Sequence, residues 1–179
     1  MASFPPCPSD LAKREKLVDE NAYRATAVPS RDPKSMSRTD LELVRLADAE
    51  AQRSRDTTKV GAVFVDAGGS VLSVGHNSMP HGVNTDISSR WQRPEKYRYI
   101  EHAERAAIYG ACRRGISLDG SVAALSWYPC VECARALIQC GVARIVARKP
   151  DESDATWGPD FVIARTLLQE AGVPVAYVV

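Results

Sequence analysis

Pro129-Cys130-Val131-Glu132-Cys133 narrows what this chain can fold into more than any other segment. It places two thiols at the start of a predicted helix, Val131 to Cys140, which stops at Gly141. At a spacing of three residues both side chains lie on one helix face. The free N–H groups of a helix N-terminus carry partial positive charge and favour thiolate over thiol. The chain has three histidines, His76, His81 and His102. Only His102 has a carboxylate two residues on, in His102-Ala103-Glu104, and stands at the start of a predicted helix, Ala103 to Arg113. His102, Cys130 and Cys133 then make three zinc ligands. Three protein ligands leave the fourth tetrahedral position for water, the arrangement of a catalytic rather than a structural zinc.

Glu104 supplies the acid–base group. Bound zinc lowers the pKa of water to about 7, so hydroxide is available at neutral pH. A carboxylate beside it can take the proton from water, then deliver protons to a ring nitrogen and a leaving amine. On this reading Glu104 is catalytic and is not a ligand.

The remaining cysteines are Cys7, Cys112 and Cys140, five in all with the pair above. An odd number argues against a disulfide framework in a reducing compartment. Cys112 and Cys140 read as small buried hydrophobes, and Cys7 as an incidental thiol. His76 and His81 read as loop hydrogen-bonding groups, with a second metal site as the alternative.

The pattern around these motifs is that of a mixed α/β domain. Leu41, Val44, Leu46, Ala47 and Ala51 recur at helical spacing behind Thr39 or Asp40 as caps. Val60 to Val65 and Val71 to Val74 read as strands joined through Gly68-Gly69. Asn77 to Ile100 is a long loop, and a loop of that length inside a compact domain is usually functional. Beyond the Ala103 helix, strands are expected at Ser121 to Leu125, Ala143 to Ala147 and Val173 to Val178. Phe161 to Ala171 is expected as a helix, with Asp160 as a candidate N-cap. One hairpin followed by alternating helices and strands implies a mixed sheet with helices on both faces. Residues 1–37 read separately, as an arm that is partly disordered or packed on a neighbouring subunit, with the domain proper at 38–179.

At 179 residues the chain is long enough for one domain with a substantial core, and its net charge of +1 demands neither nucleic acid nor an anionic membrane. No apolar run approaches the roughly 20 residues that span a bilayer. The start, Met1 to Asp10, lacks the basic-then-apolar order of a secretory signal, so the expected location is the cytoplasm.

His-x-Glu followed by Pro-Cys-x-x-Cys resembles the signature of the zinc-dependent nucleobase deaminases. The resemblance is to the cytidine and deoxycytidylate deaminase superfamily, nearest the dCMP deaminase branch, and it runs from about Leu41 to Val179. It includes Lys59-Val60-Gly61-Ala62-Val63, Gly75-His76-Asn77-Ser78-Met79-Pro80, the two metal motifs, Ile138-Gln139-Cys140-Gly141-Val142 and Glu170-Ala171-Gly172-Val173. It implies a three-layer α/β/α sandwich around a five-stranded mixed sheet, with one zinc ion where two helix N-termini meet. It implies hydrolytic deamination of an amino-pyrimidine nucleotide, in the manner of dCMP to dUMP. Asn77 would contact the sugar, the Ala103 N–H and the Ser126 carbonyl would lie near the base edge, and Trp127 would stack on or wall in the base. The partners implied are a small-molecule nucleotide or nucleobase and further copies of the chain, as a dimer or larger, with neither membrane nor nucleic acid.

Three positions depart from the branch. Gly75-His76-Asn77-Ser78 stands where Gly-Tyr-Asn-Gly is usual, so dNTP regulation is not carried over. Ala106 stands where Asn is common. Glu101 stands where a small or thiol residue is usual, and its carboxylate would disfavour a phosphate unless Arg90, Arg93 or Arg98 compensated. Two other readings stay open at this level. One keeps the chemistry and changes the substrate to tRNA adenine, guanine or a modified nucleoside. Trp91, Tyr97 and Tyr99 interleave with Arg90, Arg93, Lys96 and Arg98, which reads as a loop that closes over a small substrate or packs on another subunit, with a nucleic-acid surface as the alternative. The other is a zinc-stabilised interaction module without catalysis.

Overall fold

The computed structural model describes residues 38–178. The arm expected over residues 1–37 lies outside them. Helix α1 (Asp40–Ala51) opens on a capping box: the Thr39 hydroxyl accepts the Glu42 N–H at 3.3 Å and the Glu42 carboxylate accepts the Thr39 N–H at 2.7 Å. A hairpin follows, β1 (Gly61–Val65) and β2 (Val71–His76). Next come a short α2 (Lys96–Tyr99), then α3 (Ala103–Arg113), β3 (Val122–Leu125), α4 (Val131–Gln139), β4 (Arg144–Arg148), α5 (Gly158–Glu170) and β5 (Val175–Val178).

The five strands lie in the order β2-β1-β3-β4-β5, antiparallel from β2 through β3 and parallel from β3 through β5. Every residue of β1 is buried, as the middle of a sheet covered on both sides requires. Alternation sorts its side chains. Val63 and Val65 pack with Leu43 and Ala47 of α1. Ala62 and Phe64 join a larger core with Ala103 and Ala107 of α3, Ala134 and Leu137 of α4, and Phe161, Ala164 and Leu168 of α5. One helix on one face and three on the other make the expected three-layer α/β/α sandwich.

Gly75 sets the position of α3. A Cβ there would stand 2.4 Å from the Ala103 carbonyl oxygen and 2.5 Å from the Ala107 nitrogen. Only a glycine lets the first turn of α3, which carries Glu104, lie directly on β2.

Several boundaries differ from the sequence reading. The Asn77 to Ile100 segment contains a 3-10 turn at Ser88–Trp91 besides α2. Helix α5 starts at Gly158 rather than Phe161, because Pro159 pre-sets its first turn. Asp160 therefore lies inside α5, and Trp157 occupies the N-cap position. Leu41 is exposed and Leu43 takes its place in the core. Cys112 is exposed rather than buried. Among the described residues no helix is long and apolar enough to cross a membrane.

Candidate metal and catalytic site

His102 is the residue before α3 and Cys130 the residue before α4, both with extended backbone. The core that packs α3 and α4 on one sheet face brings these helix starts together. His102 Nδ1 stands 3.4 Å from the Cys130 sulfur and 3.6 Å from the Cys133 sulfur. Tetrahedral zinc, with bonds of about 2.05 Å to nitrogen and about 2.3 Å to sulfur, holds its ligand atoms about 3.6 Å apart. The donor set therefore fits zinc in chemistry and in spacing. Among the described residues it is also the one cluster of three or more such side chains whose ligand atoms converge.

The electrostatics suit a cation. Hydrogen bonds from Cys133 and then His102 outweigh burial and hold the Cys130 thiol down at about 4. Cys133 keeps its proton because it shares it with the Cys130 thiolate, and burial adds to this. The hydrogen bond with Cys130 also raises His102, against the opposing effect of burial. Binding of Zn²⁺ would require both sulfurs as thiolates and so would release the proton they share. Arg105 adds a guanidinium with Nη1 3.7 Å from the Cys133 sulfur, held in place by Glu101.

Glu104, in the first turn of α3, is only 4% exposed. Burial first, and then the Cys130 thiolate, push its carboxyl above the ordinary range. A carboxyl whose hold on its proton is strengthened in this way suits a group that both accepts and returns a proton, as acid–base catalysis requires.

A cavity of about 130 Å³ adjoins these groups, lined by His102, Glu104 and Cys130. Trp127, Trp157 and Phe161 give it flat aromatic walls, and Asn77, Thr58 and Arg93 give it polar ones.

Residues 37–149 match the family described as the cytidine and deoxycytidylate deaminase zinc-binding region. The chain belongs to that family. Human deoxycytidylate deaminase is 31% identical to it over 135 residues, covering 72% of each chain. A probable deoxycytidylate deaminase of Caenorhabditis elegans is 35% identical over 136 residues, covering 73% of this chain and 61% of its own length. The structure of the dCMP deaminase from cyanophage S-TIM5, solved in complex with dCMP and dUMP, matches with a TM-score of 0.63 at 25% identity, covering 83% of this chain and 100% of that one. As a family member, the chain is a zinc-dependent deaminase, a hydrolase of C–N bonds, with His102, Cys130 and Cys133 as its candidate zinc site.

The residues expected to serve a deaminase fall into two groups. Asn77, Ala103 and Trp127 line the cavity with Glu104. Asn77 is also a structural residue: its side chain accepts the Val60 N–H at 2.9 Å and donates to the Thr58 carbonyl at 2.7 Å. One of its N–H bonds remains for a ligand. Ser126 does not line the cavity; its hydroxyl accepts the Gly61 N–H and its carbonyl accepts from Arg148. The Glu101 carboxylate, which the sequence places as a repulsive neighbour, is neutralised by Arg105 one helical turn on. Of the three arginines considered as compensation, Arg93 lines the cavity, while Arg90 stacks over Tyr99.

Lys96 corrects the picture of a basic surface. It is buried, donating to both carboxylate oxygens of Asp56 at 2.8 and 3.1 Å. That pair fastens the segment carrying α2 to the loop before β1, and both residues line the cavity. His76 Nδ1 meets Glu50 at 2.8 Å. Trp157, Phe161 and the Asp56–Lys96 pair are cavity features that the sequence did not point to. The Glu101–Arg105 spacing of four was the one visible signal of this kind.

Proposed function

We propose that the chain deaminates an amino-pyrimidine nucleotide, dCMP-like by preference, to the corresponding uracil nucleotide. The observation that carries this reading is one cavity that combines the buried Glu104, the candidate zinc ligands His102 and Cys130, flat aromatic walls and Arg93. Arg93 has no carboxylate partner among the described residues and suits the charge of a phosphate. The dCMP and dUMP bound by the cyanophage dCMP deaminase support the same choice.

His102, Cys130 and Cys133 would hold the zinc ion, which would supply acidified water that is nucleophilic at neutral pH. Glu104 takes the proton that this water sheds. As oxygen adds to the amine-bearing ring carbon, Glu104 returns that proton to the adjacent ring nitrogen. It then carries the second proton from oxygen to the amine, the C–N bond breaks, ammonia leaves and a carbonyl remains. Trp127 walls in the base, the Ala103 N–H at the unpartnered start of α3 faces the base edge, and Asn77 meets the sugar. The Ser126 carbonyl is assigned to the base edge on the resemblance alone.

The test is ammonia release from cytosine, deoxycytidine, dCMP, CMP, guanine and tRNA. Turnover confined to a pyrimidine nucleotide is expected; turnover of guanine or tRNA adenine in its place overturns the substrate. Glu104→Gln, with zinc retained, should lose about 10²–10⁴-fold in rate. Undiminished turnover would refute the proton role. The same reading carries assembly into a dimer or larger, which a monomer in light scattering at micromolar concentration would refute.

A further inference from the structure

The turn between β4 and α5 reaches both halves of the metal site. With the first residues of α5 it reads Asp154-Ala155-Thr156-Trp157-Gly158-Pro159-Asp160. The Asp154 carboxylate accepts the Thr156 and Trp157 N–H groups, each at 2.8 Å, and its carbonyl accepts the Gly158 N–H at 2.8 Å. Gly158 packs so closely that a Cβ would stand 2.3 Å from the Glu152 carbonyl oxygen. The turn is thus fixed by its own backbone and side-chain bonds, and it delivers two side chains.

Trp157 meets the His102 ring edge-on, with centroids 6.0 Å apart and planes at 71°. Asp160 turns away from its own helix, and its Oδ2 accepts the Val131 N–H at 3.0 Å. Val131 is the first residue of α4, set between the two thiols, and Cys130 itself makes no side-chain cap bond there. The helix end that presents both thiols is therefore capped from a different helix. The Cys130–Val131 peptide plane sets the direction of the Cys130 side chain, and Asp160 holds that plane.

We infer that Asp160 is a positioning residue for the metal site: through the Val131 N–H it fixes the thiol-bearing end of α4, while Trp157 braces His102. This rests on the reading of His102, Cys130 and Cys133 as the zinc ligands. Three ligand atoms must meet within tenths of an ångström, so outer partners that orient them govern affinity as well as rate.

The test uses the full chain and reads zinc affinity by competition with a chromophoric chelator, together with the thiolate-to-cobalt charge-transfer band of the Co²⁺-substituted protein. Asp160→Ala removes the acceptor and should weaken zinc about 10–100-fold and shift that band. Asp160→Asn keeps an acceptor oxygen and should restore most of the affinity. Val131→Pro removes the donor at a first-turn position where proline is tolerated, behind a Cys130 backbone already extended. It should weaken zinc as Asp160→Ala does, with no further loss in the double variant, and it carries the test if Asp160→Ala fails to fold. Thermal unfolding of metal-free and zinc-loaded protein separates positioning from packing. A positioning role lowers the stabilisation that zinc confers; a merely structural cap lowers both states equally and overturns the inference. Unchanged zinc affinity in Asp160→Ala or Val131→Pro overturns it too. A wild-type chain that binds no zinc instead overturns the underlying ligand assignment, a separate result.

Discussion

Gly75→Ala tests whether the close seat of α3 on β2 positions the catalytic groups. The added Cβ would stand 2.4 Å from the Ala103 carbonyl oxygen and 2.5 Å from the Ala107 nitrogen, both backbone atoms that no rotamer change can move aside. Contact minima lie near 3.5 Å, so α3 must retreat by about 1 Å. Overpacking of this kind costs about 1–3 kcal/mol, enough to lower the melting temperature by about 2 to 12 °C in a domain of this size. The same displacement carries Glu104 and His102 away from Cys130 and Cys133. A misplacement of about 1 Å costs roughly 10²-fold in rate. Thermal unfolding and ammonia release from the substrate found in the panel measure the two effects together. Wild-type melting temperature with wild-type kcat/KM in Gly75→Ala would refute the argument that this glycine seats the helix. A loss of stability with kcat/KM intact would refute only its catalytic part.

Four further outcomes are expected. Lys96→Met leaves the buried Asp56 carboxylate without its cation and should cost about 3–5 kcal/mol at neutral pH by urea unfolding. Burial pushes Asp56 up, but hydrogen bonds from Lys96 and the Thr58 N–H outweigh it and hold its pKa below the usual value. Its contribution to stability is therefore complete above the unfolded carboxylate pKa of about 4 and is lost as pH falls through the lower folded value, so wild type and Asp56→Asn should converge in stability on acidification; a gap that widens would refute the assignment. Chelation of zinc should lower the melting temperature and abolish ammonia release, both restored by added Zn²⁺, and full activity in metal-depleted protein would sink the zinc chemistry. Tyr128→Phe removes a buried hydroxyl that has no hydrogen-bond partner of good geometry among the described residues and should be neutral or stabilising by about 1–3 kcal/mol, whereas a large loss in unfolding free energy would show that the hydroxyl is satisfied.

The four residues of the two short motifs were legible because their requirements are local. A Cys at the residue before a helix and another three positions on share a face in any fold that keeps that helix. His102 and Glu104 likewise depend only on α3 beginning where its apolar pattern begins. The hairpin and the alternating helices and strands were readable for the same reason: periodicity reports which face of each element is buried. The boundary errors fell where a side chain overrode the pattern, as when Pro159 moved the start of α5 ahead of the apolar run.

What only the tertiary structure decided is the company those residues keep. Lys96 reads as one more surface cation, yet its ammonium is buried on a carboxylate 40 positions away. Asp160 reads as a cap for its own helix, yet it caps a helix 29 positions back. Glu101 reads as a charge set against a phosphate, and its neighbour Arg105 cancels it while reaching the Cys133 sulfur. The Lys96, Asp160 and Cys133 contacts join segments far apart in the chain, which no local spacing encodes; only the Glu101–Arg105 pair is local. The sequence alone determined that a His, two Cys and a Glu stand at two helix starts. The sheet that packs those helices on one face decided that they meet, and the turns between elements decided what walls the cavity beside them, because burial and electrostatic pairing are properties of the assembled surfaces rather than of any single segment.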